Sequence, residues 1–262
     1  MKYQLSILGI VAIVMIAASA GALLANGVSR ASGYPDWFDI EVDSANGTNE
    51  YTMIEVDEGD NNEERVVTQV LHIFEFTAVN PAGVITWDFG DGTSAMGAEV
   101  NHSYQEPGTY MVMASSIDEA EVQTSALWVV VDLIGFVESD NMECECAPTA
   151  KDTVVDITPL ANGDEITGFV RVEHDGSSES CSLRNPLQEC HLRVIIQKTD
   201  FGEVISNDVI YDSTFRSNEL VVDFELIELD LEEGQGVQIR LETDQLRDWH
   251  KPYTEWSMTG PF

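Results

Sequence analysis

The chain has 262 residues, 44% of them apolar, which suffices for two cores of ordinary size and excludes global disorder. Its 47 Asp and Glu against 12 Lys and Arg give a formal net charge of −35, which excludes nucleic acid and anionic lipid surfaces as partners. An acid excess of this size on a folded protein fits a saline exterior, where salt screens self-repulsion over about 8 Å or less.

The N-terminus carries one cation before an uncharged run, Lys2, and the run extends from Leu5 to Ala25. A run of this length reaches across a bilayer, which takes about 20 residues. Residues 1–25 therefore read as a signal peptide or a transmembrane anchor. Ala18-Ser19-Ala20 suits cleavage before Gly21, whereas the continuation through Leu23-Leu24-Ala25 favours an uncleaved anchor. Either fate exports the rest of the chain, with Lys2 on the inner side, so the expected location is the extracellular side of the membrane, anchored by the N-terminal helix, or the medium if the segment is cleaved. Residues 26–50 read as an acidic tether. Within it Phe38, Ile40 and Val42 alternate with Asp39, Glu41 and Asp43; a lone strand packing on the next domain is the alternative to a simple stalk. Asn46 in Asn46-Gly47-Thr48 has the form of a glycosylation acceptor. The acidic run from Glu55 to Glu64 contains no base until Arg65; it reads as a solvated connection between two strands, and it lacks the ligand spacing of an EF-hand.

Short β-branched runs then alternate with Gly, Pro and Asp, the pattern of antiparallel strands joined by turns. Gly90-Asp91-Gly92 is a turn, because Gly accepts positive φ and Asp folds its carboxylate onto an amide two residues on. Trp87 enters the core from the strand before it. Pro107-Gly108 is a second turn, and Tyr110 and Val112 fall on one face of the strand beyond it. Trp87-Asp88-Phe89-Gly90-Asp91-Gly92-Thr93, then His102-Ser103-Tyr104, then Pro107-Gly108-Thr109-Tyr110-Met111-Val112 resemble the three signature segments of the PKD domain, in the family's order. The resemblance implies an immunoglobulin-like β-sandwich over about residues 51–133, located outside the cell and serving as a spacer or binding unit. It gives His102, Tyr104, Pro107, Gly108 and Tyr110 structural roles. It also raises calcium as a candidate cofactor at Asp88, Asp91 and Thr93, since some members bind it. Asn101 is a second glycosylation acceptor in form.

Residues 134–147 read as a linker holding Cys144 and Cys146. The four cysteines, with Cys181 and Cys190, suit an oxidising exterior. Residues i and i+2 on extended chain diverge too far to bond each other, so Cys144 and Cys146 each pair with Cys181 or Cys190. Residues 148–262 carry cleaner period-two alternation: Ile166 to Val172, Leu192 to Ile196, Leu220 to Leu226 and Val237 to Leu241. With turn signals between them, these strands predict a second antiparallel sandwich, immunoglobulin-like or jelly-roll. The chain as a whole reads as all-β, two sandwiches after an N-terminal hydrophobic helix. His191 reads as a partly exposed histidine at the start of its strand.

No hydrolase elbow, zinc-protease motif, phosphate loop or dinucleotide fingerprint occurs. Catalytic residues, metal ligands and a resident cofactor are accordingly not assigned. The aromatic cluster Trp249, Tyr253 and Trp256 supports two readings, closure of the second core or a platform that stacks on sugar rings. The function expected is non-catalytic: adhesion, spacing or envelope contacts with surface proteins or polysaccharides. The alternative is a carbohydrate-binding accessory module of an extracellular hydrolytic system.

Overall fold

The structure is a computed structural model that describes residues 37–57, 63–119, 121–139, 153–158, 165–174, 190–215, 217, 219–229, 231–232, 234–243 and 250–259. The described residues form strands and no helix. The hydrophobic N-terminal run, Cys144, Cys146, Cys181 and Trp249 lie outside them. The first nine strands are β1 (Asp39–Val42), β2 (Asn46–Asp57), β3 (Glu63–Val70), β4 (Phe74–Val79), β5 (Val84–Asp88), β6 (Ser94–Met96), β7 (Glu99–His102), β8 (Gly108–Ile117) and β9 (Val122–Glu138). The rest are β10 (Thr153–Asp156), β11 (Glu165–His174), β12 (Cys190–Asp200), β13 (Glu203–Phe215), β14 (Glu219–Leu226), β15 (Gln235–Glu242) and β16 (His250–Thr259).

Three sheets enclose two cores. A three-stranded sheet β1-β4-β7 faces one half of a nine-stranded sheet, and a four-stranded sheet β10-β15-β12-β13 faces the other half. Aromatic side chains dominate the first core, with Phe74, Phe76, Trp87 and Tyr104 at 1% exposure or less. The second is mainly aliphatic, from Val155 and Ile166 to Leu192 and Ile239. The predicted alternation holds in β11, β12, β14 and β15: Val170 and Val172, Leu192 and Val194, Val222 and Phe224, and Ile239 and Leu241 all point inward.

The large sheet is continuous because of β9. β8 pairs with its Val122–Val131 half and β16 with its Leu133–Glu138 half, so these two strands lie end to end along one edge. β2 runs parallel to it on the other edge, from Asn46 opposite Val130 to Ile54 opposite Glu138. β9 thus gives Val129 and Val131 to the first core and Leu133 and Val137 to the second. Its sequence is rich in β-branched and aromatic residues and contains no Pro, and its isolated Asp132 and Gly135 do not cluster into a turn, so nothing in it stops a strand. The linker expected over 134–147 is therefore strand up to Glu138.

The tether expected over 26–50 is likewise corrected from Phe38 onward. Phe38 and Ile40 are 6% exposed in the first core, and β1 pairs antiparallel with β4, Asp39 opposite Val79. The alternation of Phe38, Ile40 and Val42 is that of a half-buried strand, because burying two large side chains contributes about 1.5–3 kcal/mol each. Asn49 in β2, fully buried, pins the junction of the two cores. Its Nδ2 donates to the Tyr104 carbonyl at 3.0 Å and its Oδ1 accepts the His72 N–H at 2.9 Å.

Candidate functional site

The Trp87–Thr93 segment is a self-contained hydrogen-bonded turn. β5 pairs with β6 up to Asp88 opposite Ser94, and Gly90 and Gly92 take φ of 79° and 85° in the loop between. A side chain at Gly90 would strike the Met111 carbonyl, its Cβ 2.7 Å from the oxygen, so glycine is required both for conformation and for close approach. Asp88 Oδ1 accepts the Gly90 N–H at 3.0 Å. Asp91 Oδ1 accepts the Thr93 N–H and hydroxyl at 2.9 and 2.6 Å, and its Oδ2 lies 2.7 Å from His102 Nε2. Burial pushes the Asp91 pKa up, but the Thr93 donors and His102 outweigh it and hold the carboxyl below its ordinary value.

From this turn an aromatic column runs into the core. The His102 ring stacks on Phe89, with centroids 4.0 Å apart, and meets Tyr104 edge-on at 4.6 Å. Tyr104 stacks on Tyr110 at 4.0 Å and donates its hydroxyl to the Phe89 carbonyl at 3.0 Å. Tyr110 donates to the Glu106 carbonyl at 2.9 Å. Burial raises both phenols; Tyr110, also near Glu106, is pushed up to about 12. Trp87 donates its indole N–H to the Gly97 carbonyl at 2.8 Å. Pro107 and Gly108 are buried where β8 begins. The polar groups of Asp91, Thr93, His102, Tyr104 and Tyr110 thus have partners within the motif or its strands, an arrangement that fixes a turn, whereas the buried Thr109 hydroxyl has none among the described residues.

Of the aromatic residues of the sugar-platform reading, Tyr253 and Trp256 do not share a surface. Trp256 is 2% exposed, inside the second core, where no ligand reaches it; as a stacking residue it is corrected to a core residue. Tyr253 is half-buried on the outer face of the large sheet. It is 6.3 Å from the Phe136 ring, with the Arg171 guanidinium 4.8 Å over its face and Lys251 at 6.0 Å. Lys251 is also ion-paired with Glu138. Trp249 lies outside the described residues. Asn46 and Asn101 are both exposed, at the start of β2 and on β7. Cys190 opens β12, and the other three cysteines lie outside the described residues. His191 is buried rather than partly exposed, its Nε2 2.8 Å from Asp212 Oδ1. Asp212, bonded to His191 and Arg193, is held below its ordinary pKa. Among the described residues no group of three or more His, Cys, Asp or Glu is arranged to hold a metal ion.

An exposed apolar face on the first half of the large sheet escaped the sequence reading. Trp128 is 60% exposed and pairs directly with Met111, and Met113 beside it pairs with Ala126 on one side and Asp88 on the other. The signal was present in the parity: Val112 and Val129 are core positions, so their neighbours Met111, Met113 and Trp128 must face outward.

Residues 74–131 match the model of the PKD domain. That stretch, with the turn and aromatic column above, is a PKD domain. No curated protein matches the chain. Among solved structures, it is similar to a carbohydrate-binding module of the β-sandwich superfamily at 12% identity and TM-score 0.25, with 79% of this chain and 98% of that one covered. A xylan-binding module is similar at 14% identity and TM-score 0.25, covering 72% and 97%. A β-glucuronidase of Bacteroides uniformis is similar at 8% identity and TM-score 0.25; 83% of this chain is covered, but only 29% of the enzyme.

Proposed function

We propose that this chain is a non-catalytic protein of the cell exterior, held at the membrane by its N-terminal segment, whose PKD domain and second sandwich act as one rigid spacer and contact unit toward surface proteins or polysaccharides. The observation that carries this reading is β9, which belongs to both cores at once. A strand shared between two cores transmits position rather than allowing a hinge, which suits a spacer. The PKD domain at residues 74–131 and the acid excess support placement outside the cell, in a saline medium. In this reading the four cysteines form two disulfides, Asn46 carries glycan where the host supplies it, and the second sandwich is immunoglobulin-like or jelly-roll. The carbohydrate-binding alternative keeps Tyr253 and loses Trp256.

Expression of the full chain in an exporting host tests the proposal. The expected result is a full-length mass in the membrane fraction that gains four hydrogens on reduction, with both sandwiches protected from added protease together. Recovery in the cytoplasm with free thiols overturns it.

A further inference from the structure

The outer face of the PKD domain combines two properties that seldom occur together on a solvated sheet. The first is an apolar anchor. Trp128 stands beside Met111 and Met113, which are 42% and 40% exposed, so an indole and two flexible thioethers lie open on adjacent strands. Thioethers repack around differently shaped ligands, and Trp is the side chain most enriched at the centres of protein interfaces. The second is unrelieved negative charge. No Lys or Arg occurs between Arg65 and Lys151, so the PKD domain contains none. Asp88 stands opposite Met113 across the strand pair, and the Asp91 turn packs on the Met111 backbone through Gly90.

We infer that the Trp128–Met111–Met113 face is a docking site for a basic, apolar segment of a protein partner, an inference that rests on the surface-contact reading above. An aliphatic side chain of the partner packs on the thioethers. One Lys or Arg of the partner meets the indole face, the best of the aromatic faces for a cation, and a second meets the carboxylate of Asp88, two strands away on the far side of Met113. A second copy of this chain is disfavoured, because it brings the same carboxylates against themselves. A neutral polysaccharide is disfavoured because the side chains flanking the ring, Met111, Met113 and Ala126, offer methyl and thioether groups where a sugar needs hydrogen-bonding partners.

The test titrates the full chain at physiological salt with two synthetic peptides of equal length and charge, one alternating Lys with Leu and the other Lys with Gly. The wild type is expected to bind the Leu peptide at least about tenfold more tightly. Trp128→Ala should reduce that ratio to near one while leaving the weak, salt-sensitive attraction to both peptides. Ile205→Ala, at an exposed apolar position on β13, should leave the ratio intact. Equal affinities in the wild type, or a ratio that survives Trp128→Ala or falls equally in Ile205→Ala, overturns the site. Binding of a neutral glucan that Trp128→Ala abolishes overturns it in favour of a polysaccharide. Failure of the surface reading shows instead in fractionation, which these ratios do not affect.

Discussion

The indole of Trp256 lies over the bare backbone of Gly135: a Cβ built there would come within 2.2 Å of the ring. On its other side Trp256 pairs with Gly168, whose own Cβ would sit 2.3 Å from the Glu255 carbonyl. A glycine on each neighbouring strand thus leaves room for one tryptophan where β16 joins β9 and β11. Gly135→Ala forces the ring out of its place and is expected to destabilise by about 1–3 kcal/mol, the usual cost of overpacking. Trp256→Ala is expected to cost about 3–5 kcal/mol through the cavity. Urea titration followed by circular dichroism measures both. An unaltered midpoint for Trp256→Ala would return that residue to the surface.

Asn49 is expected to matter more than its polarity suggests. With no exposed surface and both ends of its amide bonded across the junction, its replacement by Ala leaves the His72 N–H and the Tyr104 carbonyl without those partners. Each stranded buried group costs about 1–3 kcal/mol. Asn49→Ala should therefore lower the unfolding midpoint without changing the slope against denaturant. Asn46→Ala, exposed three residues earlier, should have no effect.

Strands that alternate cleanly on a local scale were legible in the sequence: Ile166 to Val172 and Leu220 to Leu226 reveal their inward face without any partner. The PKD turn was legible because its residues bond one another within a short stretch. What escaped the sequence reading is non-local. Nothing near Glu50 announces a parallel pairing with Ile134, and nothing near Asp132 announces that one edge of β9 passes from β8 to β16. β16 was masked by its aromatic residues: Trp256 and Tyr253 read as one cluster, although adjacent parity sends the first inward and the second outward. β13 escaped because both its faces are largely exposed. Its turn, Phe201-Gly202 with both φ positive at 46° and 84°, follows the tightest hairpin geometry but with Phe at a position usually held by Asn or Asp.

Calcium and salt are expected to act differently on this chain. Both oxygens of Asp91 are engaged, by Thr93 in the turn and by His102 on β7, whereas the wider acid excess, 47 Asp and Glu against 12 Lys and Arg, repels itself. The thermal midpoint should rise with sodium chloride as self-repulsion is screened. Calcium at equal ionic strength should add no further rise. A calcium-specific shift that Asp88→Asn removes would establish a bound ion at the turn.

The aromatic column predicts loss of stability at alkaline pH. Tyr110 titrates at about 12 in the folded chain against 10.0 for a free phenol, and Tyr104 is raised further. A raised folded value means that the native state holds its proton longer than the unfolded state. The stabilisation is complete below pH 10 and is lost as pH rises through the folded values. For the half-buried Tyr110 the effect is on the order of 1 kcal/mol after solvent screening, and Tyr110→Phe should remove that share. Asp91 works in the opposite direction. Its folded pKa is depressed below 3.8, so its contribution is present above that value and lost as pH falls through the folded one. Being partly exposed, it contributes less than about 1 kcal/mol. Denaturant midpoints recorded from pH 2 to 12 should therefore fall at both ends, with Asp91→Asn removing its share of the acid limb alone and Tyr110→Phe its share of the alkaline limb alone. If Asp91→Asn left the acid limb unchanged, the pairing of Asp91 with His102 and Thr93 would have no energetic weight, and the turn would rest on its glycines and aromatic stacking.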